Sequence, residues 1–302
     1  MHSYQLLSRT SKRIWRGIVL LCLLLFINYP LFSDMPQKPE SGKKMKVFLL
    51  AGQSNMEGRA DANKLLPPDL ERLLKVQKNV LLAYNNEPIG PLKAVKPPRE
   101  IAEIYNRELI FGPELFFGIA LSEAWPDEII LLIKLSEGAT SLHGCWHPKW
   151  SEDKATVMGE EKETKLYRAL IDYVEQTLSE YKKDEYEICA MLWVQGETDA
   201  GNKIASAAYV RNLQQFISHI RQDLENDTLP FLFFQVGHGQ VVEGMVKTAQ
   251  LVPNVTLIQQ SLEPTSVNFY PKMENGHYNY EGMKKLGQRF AEVFLNSISD
   301  AK

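Results

Sequence analysis

Short apolar runs separated by stretches of helical spacing constrain this chain more than any other feature of its sequence. Lys46 to Ala51, Val80 to Tyr84, Ile129 to Leu135, Ile188 to Val194 and Phe231 to Val236 are of strand length, and several are apolar on both faces. Strands buried on both sides belong to parallel sheets covered by helices. A weaker run, Val255 to Ile258, offers one more strand. Between the runs, Glu114 to Glu123, Lys165 to Tyr181 and Tyr209 to Leu224 place apolar residues three and four apart. In the second of these, Leu166, Leu170, Tyr173, Val174 and Leu178 form a single stripe. The alternation predicts an α/β fold with a mainly parallel sheet and helices on both faces. The Pro-rich stretches Leu66-Pro-Pro68 and Lys96-Pro-Pro98 read as connections, so residues 46–302 read as one domain with long loops.

Residues 1–45 read as targeting sequence rather than fold. Arg9, Lys12, Arg13 and Arg16 precede an unbroken apolar run from Ile18 to Ile27, a basic segment followed by an apolar one of signal-peptide length. Counted from Ile14 to Phe32 the stretch has 19 residues, enough to span a bilayer as an uncleaved anchor. Either fate places the body outside the cytoplasm, whether secreted, periplasmic or anchored, and the anchor is the only membrane contact expected. This leader carries a formal charge of +5, so a 302-residue chain of net −3 leaves −8 on the body. A body of that sign repels a phosphate backbone, which argues against a nucleic-acid partner. Its two cysteines, Cys145 and Cys189, are too few for a disulfide framework and read as buried thiols.

In a sheet of this type ligands bind beyond the C-terminal ends of the strands, and the polar clusters of this sequence follow its apolar runs. After the first run comes Ala51-Gly-Gln-Ser-Asn-Met-Glu-Gly58, a serine between two amides on a turn. A serine hydroxyl is a weak nucleophile until a base takes its proton, so Ser54 is half a site, and a helix cap is the alternative reading. The third run ends in Lys134-Leu-Ser-Glu-Gly-Ala-Thr-Ser141, where Gly138 lets backbone approach a ligand closely. The fourth ends in Trp193-Val-Gln-Gly-Glu-Thr-Asp199. Its amide, Gln195, suits an oxyanion donor, and Glu197 and Asp199 add two carboxylates; a loop network with a helix cap is the alternative. Met273-Glu-Asn-Gly-His-Tyr-Asn-Tyr-Glu-Gly282 precedes the last helix, with Asn279 as its N-cap. Glu274, three residues before His277, can accept the Nδ1 proton and leave Nε2 facing a serine. His143-Gly-Cys-Trp-His147 lacks the further ligand a metal needs, and Trp146 and Trp150 read as walls on which a sugar stacks. His238 is a rival base without a nearby upstream carboxylate.

Taken in order, Gly-Gln-Ser-Asn-Met at 52–56, Phe-Gly-Pro-Glu at 111–114, Gly-Ala-Thr-Ser at 138–141, Trp-Val-Gln-Gly-Glu-Thr-Asp at 193–199 and Glu-x-x-His at 274–277 resemble one branch of the SGNH hydrolases. That branch holds the sialate O-acetylesterase-like proteins and the carbohydrate esterase family six acetylxylan esterases. The resemblance runs from about residue 46 to 295. It implies a three-layer, flavodoxin-like α/β/α sandwich and a serine esterase that removes O-acetyl groups from a polysaccharide or sialic acid through an acetyl-serine intermediate. No metal or organic cofactor is implied. Ser54 is then the nucleophile, His277 the base and Glu274 its orienting carboxylate, with an oxyanion hole made by the Ser54 and Gly138 backbone and the Gln195 side chain. Gln53, Asn55, Glu197 and Trp146 are expected to contact the substrate. Two positions depart from the branch: Glu274 stands where Asp is usual, and Ala139 where a second glycine is usual. A sugar O-acetyltransferase and a non-catalytic carbohydrate-binding protein with a decayed site are the alternative functions.

Overall fold

A computed structural model describes residues 43–299. The expected leader lies outside the described residues, apart from Lys43, Lys44 and Met45. The strands are β1 (Met45–Gly52), β2 (Ala60–Asp61), β3 (Val80–Tyr84), β4 (Gly90–Pro91), β5 (Ile110–Phe111), β6 (Ile130–Ser136), β7 (Tyr186–Val194), β8 (Phe231–Phe234) and β9 (Val255–Ile258). Seven of them form one sheet in the order β4-β3-β6-β1-β7-β8-β9, parallel except where β4 meets β3; β2 and β5 make a separate antiparallel pair. Each of the six apolar runs between residues 46 and 258 became a strand of the large sheet.

The helices are α1 (Ser54–Glu57), α2 (Pro67–Val76), α3 (Arg99–Tyr105), α4 (Pro113–Ala124), α5 (Glu152–Met158), α6 (Leu166–Leu178), α7 (Glu197–Ala200), α8 (Lys203–Asp223), α9 (Gln240–Leu251) and α10 (Tyr280–Ser299). One layer packs α2 and α10 around α4, and another packs α5 and α9 against α8, so the sheet is the middle of three layers. Phe48 of β1 meets Phe117 of α4 and Phe294 of α10 edge-on, with ring centroids 5.1 and 4.9 Å away. Trp193 of β7 meets Phe216 of α8 at 4.4 Å. The Pro-rich stretches correct one expectation. Pro67 and Pro68 open α2, where a missing N–H costs no helical hydrogen bond, and Pro98 is the cap of α3, so both stretches start helices.

Register places the site. Gly52, the last residue of β1, pairs with Ser136 at the end of β6 on one side and with Val194 at the end of β7 on the other. Three neighbouring strands therefore stop at one level, and the segments that follow them meet there. Gly52 has φ of +148°, and a Cβ on it would lie 2.1 Å from the Val194 carbonyl oxygen, so only glycine lets the chain turn from β1 into α1.

Candidate active site

Ser54 is the first residue of α1, and its Oγ lies 3.0 Å from Nε2 of His277, 223 positions later. Asn279 accepts from the Gly282 N–H at 3.0 Å and so caps α10, as expected, fixing the loop ahead of it. Within that loop Asn275 Oδ1 accepts the His277 backbone N–H and also stands 3.3 Å from Nδ1 of the same residue. An amide oxygen only accepts, so this contact favours the tautomer with the proton on Nδ1 and the lone pair of Nε2 toward the Ser54 hydroxyl. Tyr105, at the end of α3, places its hydroxyl 3.1 Å from Nδ1 and its ring edge-on to the imidazole. Burial, and then the charges of Arg59 and Lys272, hold the His277 pKa below its ordinary value.

Glu274 is not brought to His277. It is exposed and has no side-chain hydrogen bond or ion pair among the described residues, because the turn closed by the Gly276 N–H on the Met273 carbonyl brings Asn275 to the imidazole instead. The expectation that Glu274 orients the base is therefore corrected to Asn275 and Tyr105. Nothing in the sequence pointed to Tyr105, which arrives from 172 positions away.

The opposite wall is the segment after β6. A Cβ on Gly138 would stand 3.0 Å from Arg59 Nη2 and 3.7 Å from Ser54 Cβ, so glycine keeps this backbone close to the serine. Among the described residues neither the Gly138 nor the Ser54 N–H donates to another group. Two buried carboxylates hold the rest of the segment. Glu160 accepts from Ser141 N, Cys145 N and Ser141 Oγ at 2.8–2.9 Å. Asp199 accepts from Leu142 N at 2.8 Å and His143 N at 3.0 Å. Burial pushes the Asp199 carboxyl up to about 6 against these donors.

Gln195 and Trp146 also need correction. Gln195 is wholly buried, donates through Nε2 to Asp199 Oδ2 at 2.6 Å and to the Thr140 carbonyl at 3.0 Å, and does not line the cavity. It donates to Gln53 Oε1 at 3.4 Å; Gln53 Nε2 has no partner among the described residues, and Gln53 does line the cavity. Trp146 is wholly buried, donates to Thr140 Oγ1 at 2.9 Å and packs edge-on against Trp193, so it belongs to the core rather than to a sugar-stacking wall. Asn55 and Glu197 line the cavity and hold each other, Nδ2 donating to Oε1 at 2.7 Å, while Asn55 Oδ1 accepts from Tyr278 N at 3.2 Å. Asn55 thereby ties the serine turn to the histidine loop. His238 is exposed and outside the cavity. Cys145 is a buried free thiol as expected, whereas the free Cys189 is partly exposed.

Two ion pairs, one in the floor and one beneath it, went unread in the sequence. Glu57 and Arg59, both buried, pair at 2.8 Å. Below them Lys134 of β6 pairs with Glu114 and donates to the Glu57 carbonyl at 3.1 Å, while Glu114 also accepts from Gly112 N. The Phe-Gly-Pro-Glu motif thus neutralises a lysine buried in the sheet. Above lies a cavity of about 870 Å³, lined among others by Gln53, Ser54, Gly138, Glu197, Tyr105 and His277.

Residues 44–296 match the family model described as "Carbohydrate esterase, sialic acid-specific acetylesterase". The chain is 23% identical over 286 residues to a probable carbohydrate esterase of Arabidopsis thaliana, an alignment covering 88% of this chain and 96% of the relative. A solved Arabidopsis thaliana structure superimposes with a TM-score of 0.61 at 21% identity, over 84% of this chain and 99% of the other. A carbohydrate acetylesterase from Xanthomonas citri superimposes with a TM-score of 0.55 at 18% identity, over 85% of this chain and 57% of its own. With the family model matched across nearly the whole described chain, this protein belongs to the carbohydrate esterase family of sialic acid-specific acetylesterases and is a carboxylic ester hydrolase.

Proposed function

We propose that the protein hydrolyses O-acetyl esters of a carbohydrate through an acetyl-Ser54 intermediate. The observation that carries this reading is the 3.0 Å contact between Ser54 Oγ and a lone-pair-bearing Nε2 of His277, at the floor of the cavity. In the cycle, Nε2 takes the Ser54 proton as Oγ bonds to the acetyl carbonyl carbon, whose oxygen becomes an oxyanion. That oxygen is assigned to the backbone N–H groups of Ser54 and Gly138 and to Gln53 Nε2, none of which has an acceptor among the described residues, in place of the buried Gln195. Collapse breaks the bond from carbonyl carbon to sugar oxygen, and the proton on Nε2 passes to that oxygen. Water then repeats the sequence on the acetyl-enzyme and releases acetate. The test is Ser54→Ala assayed on 4-nitrophenyl acetate and on acetylated sugars. A loss on the order of 10³-fold or more, with unchanged thermal unfolding, is expected; more than a tenth of the activity remaining would take Ser54 out of the chemistry.

A further inference from the structure

We infer that the cavity accepts an O-acetylated sugar without a negative charge and discriminates against sugars that carry a carboxylate. This rests on the acetylesterase reading and concerns which alcohol leaves. A carboxylate is recognised by a free cationic group, most selectively by the open fork of an arginine. Among the described residues Arg59 is the one arginine or lysine that lines the cavity; Nη1 donates to the Gly58 carbonyl at 2.7 Å and Nη2 to Glu57 at 2.8 Å, while Nε has no partner but is buried out of a ligand's reach. Glu57 cancels its charge at the same contact.

The other charges on the wall are negative. Glu100 on α3 and Glu137 after β6 both line the cavity, and neither has a salt bridge within the described residues. Glu197 lines it as well, held by Asn55 and with its pKa raised by burial, and the negative charge of the wall rests on Glu100 and Glu137 without it. The Glu137 carboxyl is itself held above the usual range, first by partial burial and then by Glu163, Glu57 and Glu160. Burial is the larger cause of that rise, and the smaller one, the three neighbouring carboxylates, disfavours a negative charge on the ligand as well. Lys272 acts on Glu197 and His277 from outside the lining. Pro98, Ile101 and Ile104 complete an apolar side suited to the C–H face of a neutral sugar. Sialic acids carry a carboxylate, so the preference runs against the sugar in the family's description.

The matched test is O-acetylated methyl glucoside against the same acetylated methyl glucuronide, which differ only in CH₂OH against COO⁻ at one carbon. kcat/KM is expected to be about tenfold or more lower for the glucuronide, as like-charge steering allows. Raising salt from about 20 to about 300 mM should narrow the gap by screening, and so should methyl-esterifying the glucuronide. Glu100→Gln combined with Glu137→Gln should narrow it too. Equal or faster turnover of the glucuronide overturns the inference, as does a gap that methyl esterification leaves in place. 4-Nitrophenyl acetate separates the two readings. If it is cleaved and the glucuronide is preferred, only the charge preference falls; if neither it nor any acetylated sugar is cleaved, the esterase reading falls and takes this inference with it.

Discussion

The imidazole of His277 is held by neutral groups. In the proposed cycle it becomes an imidazolium whose Nδ1–H faces the Tyr105 hydroxyl and the Asn275 amide, with Arg59 and Lys272 as the charges acting on it. The base must be neutral to accept a proton, so kcat/KM should rise with pH through a midpoint below the ordinary histidine value of about 6.5. Lys272→Gln should move that midpoint up, and a midpoint above 7 in the parent protein would contradict the arrangement. Glu274→Gln should leave the midpoint in place and cost under about threefold, whereas Tyr105→Phe, which removes one neutral hydrogen bond, should cost up to about tenfold in kcat. A midpoint lowered by Glu274→Gln would restore that carboxylate as the partner. Ala139 offers a second residue-scale test. Its φ of +60° lies in the left-handed region, where a Cβ costs about 1 kcal/mol or more. Glycine there relieves the strain but adds disorder to the unfolded chain, so Ala139→Gly should stabilise by no more than about 1 kcal/mol in urea unfolding and retain activity. Destabilisation by more than about 1 kcal/mol would show that the alanine packs usefully.

Among the elements, the segment between β6 and α5 depends on carboxylates borrowed from elsewhere. Asp199, in α7, accepts two of its backbone N–H groups and the Gln195 amide. Asp199→Ala leaves three buried donors unmet and should destabilise by roughly 3–5 kcal/mol, read as a lower urea midpoint. Its protonation also gives stability a sign with pH. The folded carboxyl titrates at about 6 and the unfolded one near the ordinary 3.8, so the folded state holds the extra proton between those values. Stability from this group falls as pH rises through that window and is level above it. Asp199→Asn should abolish the slope. Helices α2 and α3 show what sequence reading loses at this scale. Their Pro pairs read as connections, and only packing against α4 tells the Pro67–Val76 start from a loop. The strands were legible because burial on both faces leaves an unbroken apolar run, as in β3.

For the whole molecule, three strand ends at one level explain why motifs far apart in sequence mark one site, and that much was legible from the apolar runs. Side-chain direction was not. Gln195 and Trp146 sit in motifs beside the cavity yet point into the core, and Glu274 is near His277 in sequence yet faces solvent. Residues 1–45 are proposed to direct export: a reporter fused behind them should leave the cytoplasm, and its recovery in the cytosol would refute this. Sequencing the mature N-terminus then distinguishes cleavage near Asp34 from retention of Met1 as an anchor.

The two walls of the cavity are held unequally. Gly138 belongs to a segment whose next residues are fastened by Glu160 and Asp199, and the histidine loop is fixed by Asn55, the buried Tyr278 and the Asn279 cap, whereas the wall beyond His277 is Tyr105 and the rest of α3, a seven-residue helix with no buried side chain. In the proposed cycle the fastened wall meets the acyl oxygen and the loosely held wall meets the departing alcohol. Acyl groups longer than acetyl should therefore be refused sharply, while alcohols of differing ring shape and attachment position are tolerated, making the enzyme strict about what it removes and lenient about the hydroxyl from which it removes it.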